Sequence, residues 1–349
     1  MRELRGVWGG FTRREFLLGA GGLLLVGAAG CGGESGGSTE GTTAGRRVIE
    51  HKYGGTEISG APERVVTVGY TDHDPALALG VVPVAVRAWI GERAVWPWAE
   101  GELGGAEPEI LPSGELNFEQ IAGLEPDLIL GAYSGLTREE YETLSEIAPT
   151  VAQSGEHPDY GAPWQDQTRT VGRALGREGR AKRLIEDVEA RLEQARESHP
   201  EFRGATGVVA YSFAPGEYGA YGPKDARGRF LASLGLEMPE RVRELAGEEF
   251  FTTISRERLD LLDADVLVWI ISVEGRREAV EEDPLYRRLR VVSEGRDIFL
   301  EPDGPLAAAL SFSTVLSLPY LIENLVPMLV AAVDGDPQTE VTKPQREER

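Results

Sequence analysis

The sequence predicts an α/β protein of two similar lobes joined by one long helix. Three observations carry this. Short β-branched runs alternate with helical patterns on both sides of the chain's centre, which implies parallel strands. Residues 117–130 (NFEQIAGLEPDLIL) align without gaps on residues 255–268 (SRERLDLLDADVLV). Each unit has a capping residue, a glutamate two positions on, a closing leucine and an aspartate before an apolar run. LALGVVP (77–83) and LASLGLEMP (231–239) echo each other in the same order, so duplication explains the pairs better than chance. Between the copies, residues 177–198 place Ala181, Leu184, Ile185, Val188, Leu192 and Ala195 on one helical stripe. Opposite charges four apart (Glu178 and Lys182, Arg183 and Asp187, Asp187 and Arg191) suit a solvated opposite face. At 1.5 Å per residue this helix would span about 33 Å, the width of a small domain.

Residues 1–31 read as an export address rather than fold. Arg13 and Arg14 stand in TRREFL, ahead of an apolar run too short to cross a bilayer as a stable helix. The run ends at Cys31, the only cysteine, so no disulfide within the chain is possible. Lipidation of Cys31 is the functional reading, although Ala28 stands where such signals usually carry Leu. Residues 32–45 (GGESGGSTEGTTAG) form a flexible tether with an end-to-end distance of roughly 20 Å. The N-terminal lobe is expected over 46–175, the joining helix over 176–199 and the C-terminal lobe over 200–333. Residues 334–349 form a polar, Pro-broken tail.

In the N-terminal lobe, strands are expected at 64–69, 81–86 and 127–131. Helices are expected at 74–80, after Asn117 and at 136–147. In the C-terminal lobe, strands are expected at 207–212, 265–271 and 297–300. Helices are expected at 225–235, after Ser255 and at 285–289. The stretch 312–333 is helical but interrupted by Pro319 and Pro327.

A formal charge of −22 and the lack of a basic run make nucleic acid a poor partner. No GxSxG elbow, Walker loop or HExxH motif is present, so no catalytic residues are assigned. Asp72-His73-Asp74 has metal-ligand character. With no second histidine cluster to complete a shell, it reads instead as a strand-to-helix turn with aspartate as cap. More informative are aromatic residues beside strand ends, where ligands of two-lobed α/β proteins sit. Tyr70, Arg87, Trp89 and Tyr133 follow the first three strands, and Trp96, Trp98 and Trp164 lie in loops of the same half. Phe213, Tyr218 and Tyr221 lie across the cleft in a Gly/Tyr-rich loop. Each alone suits packing as well as ligand contact; their concentration in loops favours a large, partly apolar ligand. Arg87 would pair with an anionic group on it.

At these residues the chain resembles the substrate-binding proteins of ABC importers for iron–siderophore complexes and cobalamin. The resemblance lies in PERVVTVG, LALGVVPVAV, NFEQIAGLEPDLIL, YETLSEIAPTV, ISRERLDLLDADVLV and LSFSTVLSLPYLIENLVPML. The last block is similar to siderophore-type members from Gram-positive bacteria, and TRREFL resembles a twin-arginine export signal. The resemblance implies two Rossmann-like lobes on one rigid helix, the class III periplasmic-binding fold, with little lobe movement. It implies no enzyme activity and no cofactor, and a monomer that passes a ferric siderophore to a permease dimer with its ATPase. Glu119 and Glu257 would dock into that permease. The membrane would be met through the lipid anchor alone, on the outer face of the cytoplasmic membrane. A hydroxamate siderophore is expected, because the candidate wall is aromatic with a single evident arginine. Cobalamin, haem and, less well, a bare zinc or manganese ion are the rival ligands.

Overall fold

The structure, a computed structural model, describes residues 45–89, 93–334 and 339. All of them fall within one compact unit, Thr42–Arg349. The export signal, Cys31, nearly all of the tether and most of the tail lie outside the described residues.

A hairpin of β1 (Arg47–His51) and β2 (Gly54–Ile58) opens the described chain. The N-terminal lobe follows with β3 (Val65–Thr67), α1 (His73–Ala78), β4 (Ala85–Arg87), α2 (Pro97–Glu100), β5 (Glu109–Leu111) and α3 (Phe118–Gly123). It continues through β6 (Leu128–Leu130), α4 (Arg138–Ile147), β7 (Thr150–Val151) and α5 (Trp164–Ala174). Its five strands are parallel in the order β5-β4-β3-β6-β7. Strand order reverses between β3 and β6, so the loops after these two strands open a crevice.

The long helix is α6 (Glu178–Ser198), 21 residues. Its stripe divides between two cores. Ala181 packs in the N-terminal lobe's core, while Val188, Leu192 and Ala195 pack in that of the C-terminal lobe. Leu184 touches both. On the solvated face Glu178 pairs with Arg173 at 3.5 Å, and Lys182 pairs with Glu186 at 3.7 Å. The expected Glu178–Lys182 pair is thus replaced by neighbours that lie closer.

The C-terminal lobe holds β8 (Gly207–Ala214), β9 (Glu217–Tyr221), α7 (Ala226–Ser233), α8 (Glu240–Ala246) and β10 (Phe251–Ser255). After these come β11 (Val266–Ile270), α9 (Arg276–Glu282), α10 (Arg290–Ser293) and β12 (Asp297–Leu300). Three helices close the chain: α11 (Pro305–Phe312), α12 (Ser317–Asn324) and α13 (Val326–Val333). Its sheet runs β10-β9-β8-β11-β12. Strands β8, β10, β11 and β12 run in one direction, and β9 alone runs against them, pairing antiparallel with both β8 and β10. The expectation of parallel strands therefore fails at β9. The cause is a two-residue turn, Pro215-Gly216, with Gly216 at φ 76°. Proline followed by a left-handed glycine is a type II turn, which folds β9 back on β8. Tyr218 and Tyr221 thus stand in a strand, not a loop.

The C-terminal stretch is interrupted as expected, and its prolines sit in the first turns of the helices that result. Pro319 is the third residue of α12, and Pro327 the second of α13. There the missing N–H would have had no acceptor within the helix.

Candidate ligand-binding site

The N-terminal crevice is held by Asp72, which is fully buried. Its two oxygens accept the backbone N–H of Ala132 at 2.7 Å and of Tyr133 at 2.9 Å. It gives α1 no side-chain cap, so the expected capping role is corrected. The aspartate instead ties the loop after β3 to the loop after β6. Burial pushes its carboxyl up to about 7, against the lowering effect of the two amides. Gly69 is required here, because a Cβ on it would lie 2.2 Å from Asp72 Oδ2.

Around this brace stands an aromatic wall. The Tyr70 hydroxyl donates to the Ser113 carbonyl at 3.0 Å. The Arg87 guanidinium lies 4.4 Å from the Tyr70 ring centre, within cation–π range. Arg87 also donates to the carbonyls of Val68 (3.1 Å) and Gly114 (2.6 Å). Trp89 meets Tyr70 edge-on at 4.7 Å and Phe312 of the C-terminal half at 5.7 Å. Tyr133 meets Tyr160 edge-on at 5.8 Å. Tyr160 is 42 % exposed with φ 63°, a left-handed conformation uncommon outside glycine. Gly135 lets it approach, since a Cβ there would lie 2.6 Å from the Tyr160 hydroxyl.

A pocket lies between the halves. Its wall includes Tyr133, Tyr160 and Trp164 from one side and Arg229, Phe230 and Phe312 from the other. Arg229 crosses the gap and donates to the Gly161 carbonyl at 2.8 Å. Arg227 is held by Asp225 at 3.0 and 3.1 Å and lies 3.9 Å from the Tyr221 ring centre. Burial raises the Tyr133 hydroxyl to about 12, and Asp225 reinforces the shift.

The expected site residues thus separate into groups. Tyr70, Arg87, Trp89 and Tyr133 come together at the N-terminal crevice. Tyr221 and Phe213 join Tyr211 in a cluster on the C-terminal lobe, with Phe213 55 % exposed. Tyr218 leaves the wall. It is buried, and its hydroxyl donates to Asp283 at 2.8 Å within the core. Trp96 and Trp98 lie in a seam rather than in the cavity wall. Their rings stack 5.7 Å apart, Trp96 is 1 % exposed, and both pack on Phe312.

Tyr160, Arg229, Phe230 and Phe312 were not among the expected residues. Tyr160 had a signal, an aromatic inside the turn-rich run PDYGAP at 158–163. Arg229 and Phe230 had none, because only the packing of α7 against β8 shows which of its faces meets the crevice. Glu119 and Glu257 are exposed on separate lobes.

The periplasmic binding protein family model matches residues 65–303. This chain belongs to that family. It is 30% identical over 247 residues to "Probable siderophore-binding lipoprotein YfiY" of Bacillus subtilis, covering 68% of this chain and 72% of that one. Among solved structures, a periplasmic solute binding protein from Mycobacterium smegmatis superposes with a TM-score of 0.74 at 35% identity. The match covers 83% of this chain and 99% of that one. PiaA from Streptococcus pneumoniae, solved in complex with ferrichrome, gives 0.72 at 32% identity over the same shares. These neighbours share the two-lobed α/β architecture of the class III periplasmic-binding fold.

Proposed function

We propose that the protein captures a ferric siderophore outside the cytoplasm and delivers it to an ABC import permease. The observation that carries this reading is the aromatic cavity between the lobes, in a chain 32% identical to a protein solved with ferrichrome. Iron arrives already chelated, so the protein supplies shape and aromatic surface rather than metal ligands. It performs no reaction on the ligand and needs no cofactor.

The siderophore is of the hydroxamate class. The expectation of one arginine needs amendment, since Arg229 lines the cavity as well as Arg87 standing at the crevice. Both already donate to main-chain carbonyls, so neither offers an idle fork to a highly charged catecholate.

The chain is exported by the twin-arginine route through TRREFL, lipidated at Cys31, and works as a monomer on the outer face of the cytoplasmic membrane. Glu119 and Glu257 dock into the permease. Glu257 is suited to remain ionised, because its own backbone N–H and the Ser255 hydroxyl hold its carboxyl below the ordinary glutamate value.

Titration of the purified protein with ferrichrome, a ferric catecholate, haem and cobalamin, followed by tryptophan emission, tests the ligand. Quenching by ferrichrome is expected; a response to cobalamin or haem alone overturns the reading. Calorimetry with zinc and manganese salts tests the bare-ion alternative. The double variant Glu119→Ala with Glu257→Ala is expected to keep its ligand affinity and lose delivery of radiolabelled iron to cells. Unchanged uptake would rule out the docking assignment.

A further inference from the structure

Thr314 sits in the turn between α11 and α12 and is 2 % exposed. Its backbone N–H donates to Ser317 Oγ at 2.7 Å, and the Ser317 N–H donates to Thr314 Oγ1 at 3.0 Å. With its oxygen already accepting, the hydroxyl directs its single proton to Asp74 Oδ2 on α1, in the other half of the protein. The same carboxylate oxygen accepts the Trp98 indole N–H at 2.8 Å. Asp74 is 1 % exposed, so no solvent replaces these donors if they withdraw. Its other oxygen lies 3.4 Å from His73 Nε2.

The two residues before Thr314 belong to the cavity wall. They are Phe312, which also meets Trp89, and Ser313. Ser313 has φ 45°, in the left-handed region. That conformation is unfavourable for a residue other than glycine, and it persists only where the surroundings over-determine it. Asp74 and the Thr314–Ser317 exchange are such surroundings.

We infer that Asp74 is a positioning residue of the cavity. Through Thr314 it pins the α11–α12 turn of the C-terminal half against α1 of the N-terminal half, and so sets Phe312 and Ser313 in the wall. The pinning stands on geometry alone; its effect on affinity rests on the proposed siderophore reading.

Thr314→Val keeps the shape and removes the proton, and Thr314→Ser returns it. In the ligand-free protein, Thr314→Val is expected to speed amide hydrogen exchange across residues 312–318 about ten-fold, with the rest of the chain little changed. Ferrichrome affinity is expected to fall about ten-fold, and Thr314→Ser to restore both within about two-fold. Phe312→Ala should add little further loss of affinity in the Thr314→Val background, since both changes disturb one wall. A merely structural threonine would lower thermal stability and give additive losses, which overturns the inference. Unaltered exchange at 312–318 also overturns it. Faster exchange with undiminished ferrichrome affinity refutes the link to the cavity. If the natural protein binds no ferric siderophore while exchange still responds, the functional reading fails and the pinning is supported.

Discussion

The two sheets brace their crevices with opposite charges. In the N-terminal lobe a buried carboxylate, Asp72, joins the loop after β3 to two amides after β6. In the C-terminal lobe a buried guanidinium, Arg276, follows β11 and reaches back to Ser212 Oγ of β8 at 2.8 Å. The strands are equivalent, because β3 and β8 each sit third in their sheet with β6 and β11 beside them. The degree of satisfaction differs. Both Asp72 oxygens are engaged, whereas Arg276 Nε is buried with no hydrogen-bond partner. A crevice between strand ends therefore needs some polar tie, but its sign is open. The N-terminal tie is made to backbone, the C-terminal one to a side chain.

Substitutions sharpen that contrast. Asp72→Ala leaves two buried amides without an acceptor and is expected to cost about 2–4 kcal/mol in chemical denaturation. It should also change the pH profile. The folded-state carboxyl is raised from 3.8 to about 7, so the folded chain keeps a proton that the unfolded chain releases. This contribution to stability is complete below pH 3.8 and lost as pH rises through 7. Comparing the natural protein with Asp72→Ala should show that slope in the first and not in the second. Arg276→Met, which trades an under-satisfied cation for a side chain of similar reach, is expected to cost about 1 kcal/mol or less. A loss as large as that of Asp72→Ala would break the contrast.

The duplicated units differ in a related way. Asn117 caps α3, its side chain accepting the Gln120 N–H at 3.0 Å. Ser255 gives no such cap, and the segment it opens, Arg256–Leu262, is a 3₁₀ helix kinked at Arg258. The Ser255 hydroxyl goes to Glu257 instead. Asn117→Ala should accordingly cost about 1 kcal/mol and Ser255→Ala only a few tenths, read from denaturation midpoints. Equal losses would mean that the two units are capped alike after all.

These differences mark how far the sequence could be read. Alternation, the repeated unit and the apolar stripe of 177–198 are local patterns, and they yielded the two-lobed α/β class and the buried face of α6. Strands β5 and β7, three and two residues long, are too short to show a period. The antiparallel part of the second sheet hung on one Pro-Gly turn. Of the candidate site, Tyr70, Arg87, Trp89 and Tyr133 were legible because they end strands or lie within three residues of a strand's end. The rest of the wall comes from stretches near 160, 229 and 312, which only tertiary packing brings together. Tyr218 and Trp96 looked like ligand contacts because an aromatic in a polar stretch reads the same whether it faces a cleft or a core.

Trp96 and Trp98 lie parallel within 4° at 5.7 Å. Two indoles so placed are close enough for their excited transitions to couple. Trp98 is tied to Asp74, and both rings rest on Phe312. The seam between the halves therefore carries its own optical reporter, one that can be followed in the empty protein without any added dye.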